Sequence, residues 1–337
     1  MRRRDFVASL LVAIAARGAQ AQQPGKVYRI AVVSTSTPLS DISEMGTRPS
    51  YRAFFGRLRQ LGYIEGQNLS VERYSDEGRT DHFDELAARV VRSNPDLIYA
   101  AGWTVLTRAL KSATSAIPIV AITGDPVASG IASSLARPGG NVTGTTVNVG
   151  MEIWGKRLEL LREMVPAASR IGYLVARQLW ESKYNPPKTA LAEAAKAMNI
   201  SLVALPLDAP FDEAEYRRVF GTMLKERLDA LIVNDTAENI TNRELIVNLA
   251  AEARLPAIYA YRDFTDAGGL MAYGADLRDA VRHVADQIDM IFKGAKPAEI
   301  PFYQPTKFDL AINAKTAKAL GITVPPTLLI AADEVIE

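Results

Sequence analysis

Short apolar runs alternate along this chain with longer segments in which apolar residues recur every three or four positions. The run at 30–33 reads as a strand. The segment 51–61, YRAFFGRLRQL, has apolar residues at 54, 55, 58 and 61, a helical spacing, and it stops at Gly62, which suits a helix end. Strand-like runs follow at 69–71, 97–100 and 117–122, with helical segments at 83–93 and 104–114 between them. From position 170 the order begins again. Strands are expected at 170–175, 201–206, 230–233 and 257–260, and helices at 187–198, 212–226 and 242–253. Such regular alternation predicts an α/β fold with parallel sheets and right-handed crossovers.

The two halves correspond element by element. Ile30 matches Ile171 at an offset of 141, DLIYA at Asp96 matches DALIV at Asp229 at 133, and Pro118 and Asp125 match Pro256 and Asp263 at 138. Near-constant offsets favour two similar Rossmann-like lobes over two unrelated domains. RPGGNVTGTT, from Arg137 to Thr146, breaks the alternation and reads as a linker. AGGLMAYGADL from Ala267 reads as another crossing, followed by a helix at 277–293 and a last helix at 314–320. The expected division is 27–146 plus 272–306 for lobe I and 147–271 plus 307–330 for lobe II. Hinge crossings are then expected near 145, 271 and 309.

Open parallel sheets bind ligands beyond the carboxyl ends of their strands. That rule selects Ser34, Thr35, Ser36, Trp103, Thr104, Thr123 and Asp125 in lobe I, and Tyr184, Asn234, Asp235 and Tyr261 in lobe II. Two such rims facing across a hinge would enclose a small polar molecule with a flat part. The Ser34–Thr35–Ser36 hydroxyls, ahead of a helix, suit a carboxylate. Asp125 and Asp235 suit an ammonium, and Trp103 or Tyr261 an aromatic ring. Each also has a plainer role open to it: the hydroxyls as helix caps, Asp125 before Pro126 as a turn former, Trp103 as a core aromatic.

Composition narrows the function. MRRRDFVASLLVAIAARGAQAQQ has the arginines, the apolar stretch and the Ala19-Gln20-Ala21 site of an export signal, with cleavage expected after residue 21. Arg3 and Arg4 fit a twin-arginine signal, and a general secretory signal fits equally. Removing Arg2, Arg3, Arg4, Arg17 and Asp5 leaves 35 basic and 37 acidic residues, a net of −2. That balance lacks the basic footprint of nucleic-acid binding. The chain has no cysteine, which removes disulfides, thiolate chemistry and a lipid-anchoring cysteine together. A freely diffusing monomer in a periplasm is expected.

Enzyme signatures are poor. There is no phosphate-binding P-loop and no G-x-S-x-G elbow. GGNVTG lacks the strand–turn–helix setting of a dinucleotide loop. The two histidines, His82 and His283, form no metal pattern and read as solvated helix residues. No catalytic residue, metal or cofactor is expected.

RPGGNVTG, GKRLELLREMVP, AGGLMAYGADL and QPTKFDLAINAKTAKALGITVPPTLLIAADEVIE, behind the leader, resemble the ABC transporter substrate-binding proteins of the TrpX-like group. The resemblance spans essentially the whole chain. It implies a type I periplasmic binding fold with two lobes joined by three strands. It also implies delivery of a small organic solute, aromatic amino acids included, to an ABC permease in the inner membrane. The chain departs from the family after the first strand of the second lobe, where LVNP is common and LVARQLWESKYNPP stands here. Beside a non-catalytic receptor, an exported α/β enzyme using cleft carboxylates is the alternative. The sensing part of a regulator is disfavoured by the leader and by the lack of a DNA-binding segment.

Overall fold

The computed structural model describes residues 26–76, 82–102, 104–147, 152–182 and 186–337. The expected export signal, Trp103 and Tyr184 lie outside them. Two sheets carry the chain. The first contains β1 (Tyr28–Ser34), β2 (Leu69–Ser75), β3 (Leu97–Ala101), β4 (Ile119–Thr123) and β5 (Val142–Thr146), with α1 (Pro49–Gln60), α2 (Phe83–Arg92) and α3 (Thr104–Ala113) between strands. Its order is β2-β1-β3-β4-β5 and every pair is parallel.

After α4 (Glu152–Met164) the second sheet begins with β6 (Arg170–Ala176). The short helix α5 (Arg177–Glu181), α6 (Pro186–Ala197), β7 (Ser201–Leu207), α7 (Glu213–Lys225) and β8 (Ala230–Val233) follow. Then come α8 (Ala237–Thr241), α9 (Arg243–Glu252), β9 (Ala257–Tyr259), α10 (Asp263–Asp266), β10 (Met271–Gly274) and α11 (Leu277–Phe292). The chain ends in β11 (Asp309–Asn313), α12 (Ala314–Leu320), α13 (Pro326–Ala331) and β12 (Glu334–Ile336). The sheet order is β12-β11-β10-β9-β8-β6-β7, so its first five strands in chain order, arranged β7-β6-β8-β9-β10, repeat the order of the first sheet, and only β10 with β11 is antiparallel.

The repeat extends to individual hydrogen bonds. Asp96, before β3, accepts the Arg29 N–H at 2.8 Å; Asp229, before β8, accepts the Arg170 N–H at 2.8 Å. Ile98 N–H donates to Pro118, and Leu231 N–H to Pro256, both at 2.9 Å. Residues that align in sequence therefore do the same work in both lobes.

Both faces of each sheet are covered, as parallel strands require. In β1, Ile30 and Val32 pack with α1 and α11, while Ala31 and Val33 pack with α2 and α3. In the second sheet Ile171 and Tyr173 face α4 and α6, and Leu174 and Leu231 face α7 and α9. Burying each such Leu, Ile or Phe completely contributes about 1.5–3 kcal/mol. Helix ends follow local chemistry. Asp212 accepts the Glu215 N–H at 3.0 Å to cap α7, Asp276 accepts the Arg278 N–H at 2.8 Å to cap α11, and α1 runs out at Gly62 with φ 93°.

The stretch read as a linker is different. Residues 142–146 form β5, wholly buried at the edge of the first sheet beside β4. Its threonines are polar in sequence yet satisfied in place. Thr143 Oγ1 donates to Ile300 O at 2.8 Å, Thr145 Oγ1 to Ala280 O at 3.3 Å, and Thr146 Oγ1 to Gly124 O at 2.6 Å. Gly144 allows β4 to come close, for a Cβ there would sit 1.9 Å from the Ala121 carbonyl oxygen.

The chain passes between sheets three times. It leaves β5 for α4, which packs on the second sheet. After β10 it returns to the first, where Val281, Val284, Ala285 and Ile288 of α11 are buried and Tyr303 bridges to Thr145. By Asp309 it is back in the second sheet as β11. Residues 272–274, placed with lobe I in the sequence reading, thus belong to a second-sheet strand, and β12 carries that sheet beyond residue 330.

Candidate ligand-binding cleft

The carboxyl ends of the strands in both sheets converge on one cavity of about 800 Å³, inside the ~300–1,000 Å³ range of small-molecule sites. Of the sequence-predicted residues, Ser34, Thr104, Thr123, Asp125, Asp235 and Tyr261 line it. The first four come from the first lobe and the last two from the second. Trp103 and Tyr184 are outside the described residues.

Three predicted residues do not line the cavity. Thr35 packs beside Gly102, where a Cβ would meet its methyl carbon at 2.9 Å. Ser36 turns across the gap, its Oγ 3.0 Å from Thr241 Oγ1 in α8. Thr241 already donates to Ala237 O at 2.8 Å, so Ser36 is the donor and the lobes touch there. Asn234 is buried and donates to the Tyr173 hydroxyl. Neighbours on an extended chain point to opposite sides, so Asp235 lines the cavity and Asn234 does not.

The lobe I carboxylate site does not take the expected form. A short 3-10 turn, Leu39–Asp41, follows β1, and the helix starts only at Pro49. Ser34 Oγ accepts the Thr37 N–H at 3.1 Å, and Thr37 Oγ1 accepts from the buried Arg48 guanidinium. Asp125 uses one carboxylate oxygen on the Val127 and Ala128 N–H groups, both at 2.9 Å, which is the turn-forming role. Thr104 and Thr123 pair their hydroxyls at 3.0 Å.

The strand-end rule passed over the helices. Tyr51 of α1 and Trp154 and Arg157 of α4 also line the cavity, with Tyr99 of β3 and Arg48 just before α1. The two lobes use a similar device, an aromatic and an arginine three residues apart: Trp154 and Arg157 share one face of α4, and Arg48 stands at the start of α1 ahead of Tyr51. The Arg48 guanidinium lies 6.0 Å from the Tyr51 ring and that of Arg157 4.6 Å from the Trp154 ring. W-x-x-R at 154–157 and R-x-x-Y at 48–51 were the available signals.

Charge is concentrated at α4 and β8. Arg157 is 2 % exposed, its Nε donates to Tyr273 O at 2.9 Å, and its Nη1 lies 3.9 Å from Asp235, whose side chain is 28 % exposed. Burial lowers the Arg157 pKa, and Asp235 opposes that. Burial raises the Asp235 pKa above the usual carboxylate range, and Arg157 pulls it partly back. Tyr261 is raised by burial and then by Asp235. His283 is elsewhere, stacked on Tyr303 with ring centroids 3.5 Å apart. Among the described residues, no group of three or more His, Cys, Asp or Glu side chains could hold a metal ion, and no helix is long and apolar enough to cross a membrane.

Two alike α/β lobes sharing a charged, aromatic-walled cavity at their strand ends define a two-lobed small-molecule binding protein with the type I periplasmic binding fold. Residues 42–336 match the family model for ABC transporter substrate binding proteins, and the chain belongs to that family. A curated relative, the tyrosine-binding protein of Clostridioides difficile (strain R20291), is 26% identical over 287 residues, 83% of this chain and 80% of the relative. The ABC domain from Streptococcus pneumoniae in complex with L-Trp is 24% identical with a TM-score of 0.74, covering 92% of this chain and 99% of that one. A conserved domain protein of Vibrio cholerae has a TM-score of 0.76 at 24% identity, covering 92% of this chain and 100% of that one. The protein is a substrate-binding protein for an ABC transporter; the family and the Clostridioides and Streptococcus relatives are binding proteins, not enzymes.

Proposed function

We propose that this protein is the exported, monomeric receptor of an ABC importer, closing its two lobes on an aromatic amino acid or aromatic carboxylate and presenting it to an inner-membrane permease from the periplasm. The observation that carries this reading is the shared cavity, which sets the buried Arg157 and the half-buried Asp235 beside Trp154 and Tyr261. Polar groups at one end and rings along the walls suit a small zwitterion or acid with a flat side chain. Tyrosine and tryptophan, the ligands named for two relatives, have that form.

A thermal-shift screen followed by calorimetry tests it, using L-tyrosine, L-tryptophan, L-phenylalanine, 3-phenylpropanoate, L-leucine and D-galactose. At least one aromatic compound should raise the melting temperature and bind unaltered at one site per chain. Binding of the sugar or of L-leucine alone would overturn the aromatic reading.

A further inference from the structure

We propose that Arg157 and Asp235 form a zwitterion clamp, Arg157 Nη1 taking the ligand's α-carboxylate and Asp235 its α-ammonium, so that the site selects α-amino acids over aromatic acids without an amine. This deepens the preceding reading and rests on the cavity being the solute site.

Arg157 carries the inference. Its Nη1 is buried and has no hydrogen-bond partner, an expensive state for a cation. The rest of the group is fixed: Nε is spent on Tyr273 O at 2.9 Å, and the guanidinium lies against the Trp154 ring. Among the described residues its one acidic partner, Asp235, stands off at 3.9 Å, beyond hydrogen-bond length, and both side chains line the cavity. An Nη1 donor and a carboxylate acceptor are thus presented side by side. A molecule with both charges on one carbon completes both.

The same pairing rejects ligands with one charge. A carboxylate without an amine would satisfy Arg157 but set a second anion against Asp235. An amine without a carboxylate would set a second cation against Arg157. Each meets like-charge repulsion in a buried site, where it is poorly screened. The other charged groups lining the cavity are less available. Arg48 is bonded to Thr37, Asp125 caps its own turn, and Arg108 is exposed. Burial raises the Asp235 pKa, as expected of a carboxylate still short of a cation.

Calorimetry with L-phenylalanine, 3-phenylpropanoate and phenethylamine on the wild type, Asp235→Asn and Arg157→Met decides the matter. The wild type should prefer L-phenylalanine to either analogue by roughly 100-fold. Asp235→Asn keeps the side-chain shape; it should weaken L-phenylalanine by about tenfold or more and tighten 3-phenylpropanoate, because the repelling charge is gone. Arg157→Met should weaken both carboxylates and tighten phenethylamine, because the repelling cation is gone. If Arg157→Met fails to fold by circular dichroism, the crossed response of Asp235→Asn is sufficient. Equal wild-type affinity for L-phenylalanine and 3-phenylpropanoate overturns the clamp, as does a uniform loss across all three probes in Asp235→Asn. The same crossed pattern with L-leucine and 4-methylpentanoate, and no binding of aromatic compounds, upholds the clamp and overturns the aromatic reading. Binding of 3-phenylpropanoate but of no α-amino acid overturns the clamp alone, and binding of none of these compounds overturns both.

Discussion

At the scale of single residues, the cavity's character comes from charges held away from water. Asp235 has one buried cation near it, and that cation is not close enough to hydrogen-bond. Its carboxyl therefore protonates more readily than an exposed one. For a ligand whose ammonium sits on Asp235, only the ionised form binds. Affinity should be flat while Asp235 is ionised and fall as pH drops through its raised pKa. The fall should begin above the ~4 of an ordinary carboxylate. Asp235→Asn should bind more weakly but lose that dependence. Calorimetry between neutral pH and about pH 4 checks this; a wild type as flat as the variant would remove Asp235 from contact with the ammonium. Asp235 and Tyr261 were legible in the sequence because strand ends point at the cleft. Arg157 and Trp154 were not, because α4 reaches the cavity only through a tertiary crossing that no local pattern encodes. Asn234 was selected with Asp235 because a rule that chooses loops cannot tell which of two neighbours faces inward.

Among elements, strands with apolar runs were plain in the sequence and β5 was hidden. Its pattern, VTGTT, is polar, and hydroxyl donation to carbonyls across three other segments lets it be buried. Those partners lie as far as 157 residues away, so no window around position 143 shows them. Helix α13 and strands β11 and β12 were missed for a related reason: they complete the second sheet only after the chain has left it and returned. Two substitutions test the account of β5. Gly144→Ala would force a methyl group to within 1.9 Å of Ala121 O. Relieving that contact should cost about 3 kcal/mol and lower the melting temperature by roughly 5–10 °C. Thr143→Val keeps the shape but leaves Ile300 O without its donor, and should cost about 1–2 kcal/mol. An unchanged melting temperature for Gly144→Ala would mean that β5 is not held against β4 as described.

For the whole molecule, two lobes joined by three crossings must exchange ligand with solvent. The cavity is walled by both lobes, and the rims meet where Ser36 Oγ approaches Thr241 Oγ1 at 3.0 Å. Ligand exchange should therefore require these rims to part, a hinge motion with the crossings as pivot. The chain has no cysteine of its own, so a pair introduced by Ser36→Cys and Thr241→Cys can form only one intramolecular disulfide. Closing the present separation by ~1 Å would bring two sulfurs to bonding distance. The oxidised double variant should run as a single, more compact band without reductant and release bound ligand at least ~10-fold more slowly than the wild type. Adding reductant should restore the wild-type rate. Fluorescence stopped-flow of ligand release, with each cysteine variant alone as control, makes the measurement. If the disulfide forms and the release rate does not change, ligand leaves by a route that needs no parting of the lobes, and the closing motion has no part in holding the solute.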